Sequence, residues 1–211
     1  MTSNQYFLNS LYQSRINTTL SNSLLIHPRT MVVRVDLRLP EENTENENVE
    51  QESSEKENTT TSLSPMTRFF ESLKSKIHYD LLKKEKNWQK KLSCQLRYVW
   101  VREFGPINRK KHFHVLIFLN KDVYHSLGDF SLEAGNLSAL IRQAWCSALN
   151  LPFPAYQQLV HFPKNGTIYI DVNKLDYQYQ LYRFWVRANY LAKEATKQYG
   201  DGERSFGCSV K

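Results

Sequence analysis

Leu96-Arg97-Tyr98-Val99-Trp100-Val101-Arg102-Glu103 and then Lys111-His112-Phe113-His114-Val115-Leu116-Ile117-Phe118-Leu119-Asn120 are the runs that decide how this chain reads. Both are rich in β-branched and aromatic residues and free of Gly and Pro, which predicts strands. The residues between them include Gly105-Pro106 and Asn108, so the pair reads as a hairpin. Side chains two apart on a strand share a face. His112 and His114 therefore project together, and the hairpin brings Glu103 beside them. Two neutral imidazoles and a carboxylate suit a divalent cation that keeps open positions. A His-x-His pair alone is usually structural; the carboxylate strengthens the metal reading, and a reactive group nearby would strengthen it further.

The 211 residues suit one domain with a proper core, and aromatics make up 13% of them. No apolar run is long enough for a membrane span, and Met1-Thr2-Ser3-Asn4-Gln5 lacks the layout of a signal peptide. Neither a membrane nor a small-molecule cofactor is expected. Cys94, Cys146 and Cys208 are scattered without metal spacing, which points to a reducing cytoplasm. The formal charge is +7, but residues 41–58 hold eight Glu and one Lys, a net −7 whose removal leaves +14 on the remainder. A body that basic attracts polyanions, nucleic acid foremost.

Residues 1–23 read as a short helix or ordered arm, with Leu8, Leu11, Tyr12 and Ile16 loosely at helical spacing. A single domain is expected over 24–211. Residues 24–39 read as a strand whose Val33, Val35 and Leu37 alternate with Arg34, Asp36 and Arg38. One face should pack on a core and the other meet water or ligand. Residues 40–64 are polar and acidic, an insertion expected to be disordered. Ser64-Pro65 opens an amphipathic helix, or two, over 66–95 with a lysine-rich outer face. A second helix is expected over 138–149, a strand over 167–172 and a long helix over 174–198. The order is β-α-β-β-α-β plus a C-terminal helix, an α+β, ferredoxin-like antiparallel sheet. Helices on one of its faces would leave the other free for a ligand.

Tyr190 is the candidate nucleophile, with Lys193 one turn and Lys197 two turns further along the expected helix. Neighbouring positive charge favours phenolate. Phenolate attack on a phosphodiester would leave a phosphotyrosine and a free 3′-hydroxyl. Tyr177, Tyr182 and Tyr199 are alternatives, none followed by Lys at the third position. Arg204-Ser205-Phe206-Gly207 either clamps DNA or packs Phe206 on the core.

Taken in order, Val33-Arg34-Val35-Asp36-Leu37-Arg38, the strand ending at Glu103, His112-Phe113-His114 through Asn120-Lys121-Asp122, Tyr190-Leu191-Ala192-Lys193 and Arg204-Ser205-Phe206-Gly207 resemble HUH-type rolling-circle replication initiators. The closer similarity is to inovirus gene-II-type replication proteins and their prophage relatives, the YagK/YfjJ C-terminal-domain family. The resemblance spans roughly residues 25–210. It implies an HUH palm, and an endonuclease that nicks single-stranded DNA at a replication origin, stays on the 5′ end through Tyr190, and later rejoins the strand. It implies Mg²⁺ or Mn²⁺ on His112 and His114, with Glu103 added from the hairpin reading. Arg34, Arg38, Lys197 and Arg204 would contact DNA, and Lys193 would assist the tyrosine. The setting would be a bacterial cytoplasm, with a host helicase or polymerase as partner. Two readings from other classes stand beside it: a non-catalytic nucleic-acid-binding module, and a prophage regulatory protein.

Overall fold

A computed structural model describes residues 7–41, 63–105, 109–131, 134–195 and 197–209. The body of the acidic insertion expected to be disordered, residues 42–62, lies outside the described residues.

Asn9 opens the first helix, α1 (Ser10–Ile26), its side chain accepting from Tyr12 N. This helix runs past the expected arm and takes residues 24–26 from the expected strand. Its apolar side (Tyr12, Ile16, Leu20, Leu24) is buried, and the Thr19 and Ser23 hydroxyls donate to carbonyls one turn back. Pro28 then prevents continuation, and β1 (Arg29–Arg38) begins. The helix α2 (Pro65–Trp88) is capped by Ser64 with Pro at its start, as Ser64-Pro65 predicts. The hairpin forms from β2 (Arg97–Phe104) and β3 (Lys111–Asn120). There follow α3 (Leu137–Ala148), β4 (Val160–His161), β5 (Thr167–Asp171), α4 (Tyr177–Leu191) and β6 (Phe206–Cys208).

The sheet has the order β4-β1-β3-β2-β6, with β5 also on β1, and every pairing is antiparallel. The partner of β1 on its outer side is broken in two. β5 pairs Arg29 to Val33, and β4 pairs Asp36 and Leu37. Gly166 makes the step between them, donating to Pro163 O and accepting from Arg34 N, each at 2.8 Å. A Cβ there would sit 2.8 Å from the Pro163 carbonyl oxygen, too close for any side chain.

Alternate residues of the same strands build two cores. Val33, Val35, Leu37, Phe113, Val115, Ile117 and Trp100 face α2 and α3, with Phe69 and Trp145 wedged between the layers. Val32, Val99, Val101, Leu116, Phe118, Ile168 and Ile170 face α1 and α4. The second face is therefore not free along its length: it is roofed by α1 and α4, with buried Thr30 and Arg97 at one end and the Asp36, Glu103 and His114 side chains at the other. The last helix also departs from expectation. It stops at Leu191, because Ala192 O accepts from Asn9 N and Glu194 N donates to Phe7 O. Pairing with the N-terminal segment thus replaces the next helical turn.

Candidate metal and tyrosine site

The polar end of the second face is assembled by strand register. Asp36 pairs with His114 and Arg38 with His112; on the other side Val101 pairs with His114 and Glu103 with His112. Residues opposed in an antiparallel pair project to the same face. Glu103, His112 and His114 thus converge, with one ligand atom from each lying within 4.8 Å of the others.

The donors are oriented for a cation. His114 Nδ1 lies 2.6 Å from Asp36 Oδ1, a contact with a carboxylate that requires the proton on Nδ1. Its Nε2 is buried with no hydrogen-bond partner among the described residues. Glu103 Oε2 is 3.3 Å from that nitrogen without the alignment of a hydrogen bond. His112 Nδ1 lies 3.2 Å from the Lys110 carbonyl oxygen, which accepts its proton and again leaves Nε2 as the free lone pair. A carboxylate or carbonyl behind each imidazole is how metal-binding histidines are commonly held. The residues present fit a divalent cation.

Charge separates the two imidazoles: His112 favours the neutral form a cation needs, whereas His114 favours the charged form and would have to release a proton to ligate. Burial lowers the pKa of His112, keeping it neutral. Burial opposes charge on His114 too, but the Asp36 and Glu103 carboxylates outweigh it and raise its pKa. Both acids resist burial's upward push through His114. Asp36, aided by Arg34, and Glu103, aided by Lys197, are each held at about 2. The Lys197 ammonium is buried against Glu103 Oε1. Burial lowers its pKa despite that partner.

Tyr190 arrives from the last turn of α4. Its ring centroid is 5.3 Å from that of His114. The Arg34 guanidinium lies over the ring at 4.6 Å and Lys193 Nζ at 4.4 Å. Of the alternatives, Tyr182 is exposed against Tyr179, Tyr199 donates to Glu194, and Tyr177 packs against the core under α4.

The expected DNA contacts fare differently. Arg38 is exposed beside His112, and Arg34 is committed to Asp36, 3.3 Å away, and to the Tyr190 ring. Lys197 is not on a helix and is not displayed to solvent; its charge is spent on Glu103. Arg204 is on the other side of the sheet. There it lines, with Lys111, Trp100 and Phe113, a cavity of about 1160 Å³ beside α2. Phe206 stacks on Tyr12 at 4.2 Å, the packing reading rather than a DNA clamp. The segment carrying Lys197 is held by Arg102, whose buried guanidinium reaches Asp201 and Glu203, each at 2.8 Å.

Two residues were not foreseen as part of the site. Asp36 stands out in sequence only as one of three charged positions on β1, and its tie to His114 depends on the β1–β3 register. His161, 3.5 Å from Asp36 Oδ2, has no local signal at all.

Comparison with known proteins places the chain. The model of the YagK/YfjJ C-terminal domain matches residues 1–209. The uncharacterized protein YfjJ of Escherichia coli (strain K12) is 35% identical over 202 residues, 95% of this chain and 94% of YfjJ. The uncharacterized protein YagK of the same organism is 34% identical over 200 residues, 94% of this chain and 91% of YagK. No solved structure matches. The chain, from its N-terminal arm to the β6 strand, belongs to the YagK/YfjJ C-terminal domain family.

Proposed function

We propose that this protein is a metal-dependent enzyme that nicks and rejoins single-stranded DNA, acting as a phage or prophage rolling-circle replication initiator. The observation that carries the reading is the meeting of a Glu103–His112–His114 ligand set with the Tyr190 ring, 5.3 Å from His114. Its partners would be the single strand at an origin and a host helicase or polymerase.

In the proposed reaction Tyr190 Oη loses its proton to solvent and attacks the phosphorus. The bond from phosphorus to O3′ breaks, and the departing oxygen takes a proton from water. The 5′ end is left as a phosphotyrosine, and the reverse attack by a 3′-hydroxyl reseals the strand. Arg34 and Lys193, both over the ring, stand where negative charge develops on phenolate and phosphate. Asp36 fixes the His114 tautomer, and Lys197 holds the Glu103 carboxylate in place. Bound Mg²⁺ or Mn²⁺ would polarise the scissile phosphate. The basic body gives the strand its general attraction.

The test is a denaturing gel of protein incubated with labelled single-stranded origin fragments and Mn²⁺. Wild type should give a denaturation-resistant adduct, and Tyr190→Phe and His112→Ala should give none. Tight binding without any adduct would sink the nicking reading and leave a nucleic-acid-binding protein.

A further inference from the structure

Beyond the site, α4 carries an outer face that leads to Tyr190 and whose other residues the nicking chemistry does not use. At 100° per residue, Tyr179, Tyr182, Arg183, Val186 and Tyr190 fall in an arc of about 100°. This arc lies across the helix from the buried Phe184, Ala188 and Leu191. Tyr179, Tyr182 and Val186 are 61%, 64% and 59% exposed, a large apolar display for one helix. The two tyrosine rings lie 23° from parallel. The helix has two arginines and no carboxylate along its length. From Tyr179 the stripe climbs about 16 Å, at about 1.5 Å per residue, to Tyr190.

We infer that this stripe is a track for unpaired nucleotides, along which a single strand lies on its way to Tyr190. Exposed aromatic rings interleaved with cations are what single strands bind, because every unpaired base offers a flat face to stack and every linkage a phosphate to pair. A duplex keeps those faces covered. The competing basic surface, the lysine-rich side of α2, lies across the sheet from Tyr190. Its Lys84 is already paired with Asp80. The inference deepens the nicking reading and rests on it for where the strand ends.

The test is fluorescence anisotropy with labelled oligothymidylate in EDTA, so that binding is read without chemistry. Tyr179→Ala/Tyr182→Ala should bind at least about tenfold more weakly than wild type. Tyr179→Phe/Tyr182→Phe, which keeps both rings, should bind within about twofold of it. Arg183→Gln should make the salt dependence shallower by about 0.7 in log–log slope, the share of one phosphate on a single strand. Four results would each overturn the track: no binding by wild type, an Ala pair that binds normally, a loss that falls instead on Lys83→Gln/Lys86→Gln, or a wild-type dimer that the Ala pair dissociates. Adduct formation separates the two claims. An adduct with an unaffected Ala pair rejects the track and keeps the nickase; weakened binding without a wild-type adduct does the reverse.

Discussion

The two faces of the sheet are made by the same three strands and do opposite things. Toward α2 and α3, Val33, Val35, Leu37, Phe113, Val115 and Ile117 are all buried and apolar, and the layer carries no buried charge, its one opening among the described residues being the cavity beside α2. Toward α1 and α4 the face is apolar through Val32, Val99, Val101, Leu116, Phe118, Ile168 and Ile170. It then turns to Asp36, Glu103 and His114, which are as buried or nearly so. Burying such groups is costly unless each has a partner. One face supplies the burial that lets the other hold charge.

The sharpest way to break that division is to open the apolar layer. Phe69→Ala removes a fully buried ring packed against Phe70 and Trp145. It should cost about 3–5 kcal/mol and lower the melting temperature by about 10 °C, with or without Mn²⁺. A fall of only a degree or two would mean that this face is not the main support.

Lys197→Met probes the other face. The Lys197 and Glu103 side chains are 0% and 2% exposed. Removing the cation leaves a buried carboxylate alone and should cost about 3 kcal/mol. Here Mn²⁺ should restore much of the loss, since on the proposed reading it would take over as partner of Glu103. Thermal melts with and without the ion would show the variant gaining more from Mn²⁺ than wild type does. Equal gains would remove Glu103 from the ligand set.

A smaller effect is expected from Asp36→Asn, which keeps an acceptor for His114 Nδ1 but removes its charge. Mn²⁺ affinity, read by calorimetry, should fall about 10–100-fold, with a loss of melting temperature in EDTA smaller than that of Lys197→Met. Unchanged affinity would show that Asp36 does not act through His114.

The mildest test is pH on the metal-free protein. Asp36 and Glu103, each held at about 2, contribute stability that is present above their ordinary values and lost as pH falls toward 2. His114 has a raised pKa, so its contribution is full below its ordinary value near 6.5 and lost as pH rises through the folded value. The joint contribution of these three groups should therefore be greatest in mildly acid buffer, opposed there by His112, whose lowered pKa favours higher pH. His114→Ala should flatten the alkaline side of the curve, and an unchanged slope would reject the assignment.

Much of this division was legible in sequence. Alternation in β1 predicted its two faces, and His112-Phe113-His114 with the turn before it placed Glu103 next to the pair, because a hairpin is a local object. Ser64-Pro65 marked a helix start for an equally local reason. The extent of α1 was less legible: residues 24–26 are apolar enough for strand or helix, and burial under the sheet decided for helix.

What the sequence by itself determined is the alternation that makes one sheet with two unlike faces, and the placement of Glu103, His112 and His114 on one of them. Periodicity and turn chemistry act within a few residues and need no partner. The tertiary structure alone decided that Asp36 backs His114 across 78 residues and that Lys197 meets Glu103 across 94. It also ended α4 at Leu191, where pairing with the N-terminal segment displaced another turn of helix. Strand register and chain closure bring such groups together, and neither leaves a mark on neighbouring residues.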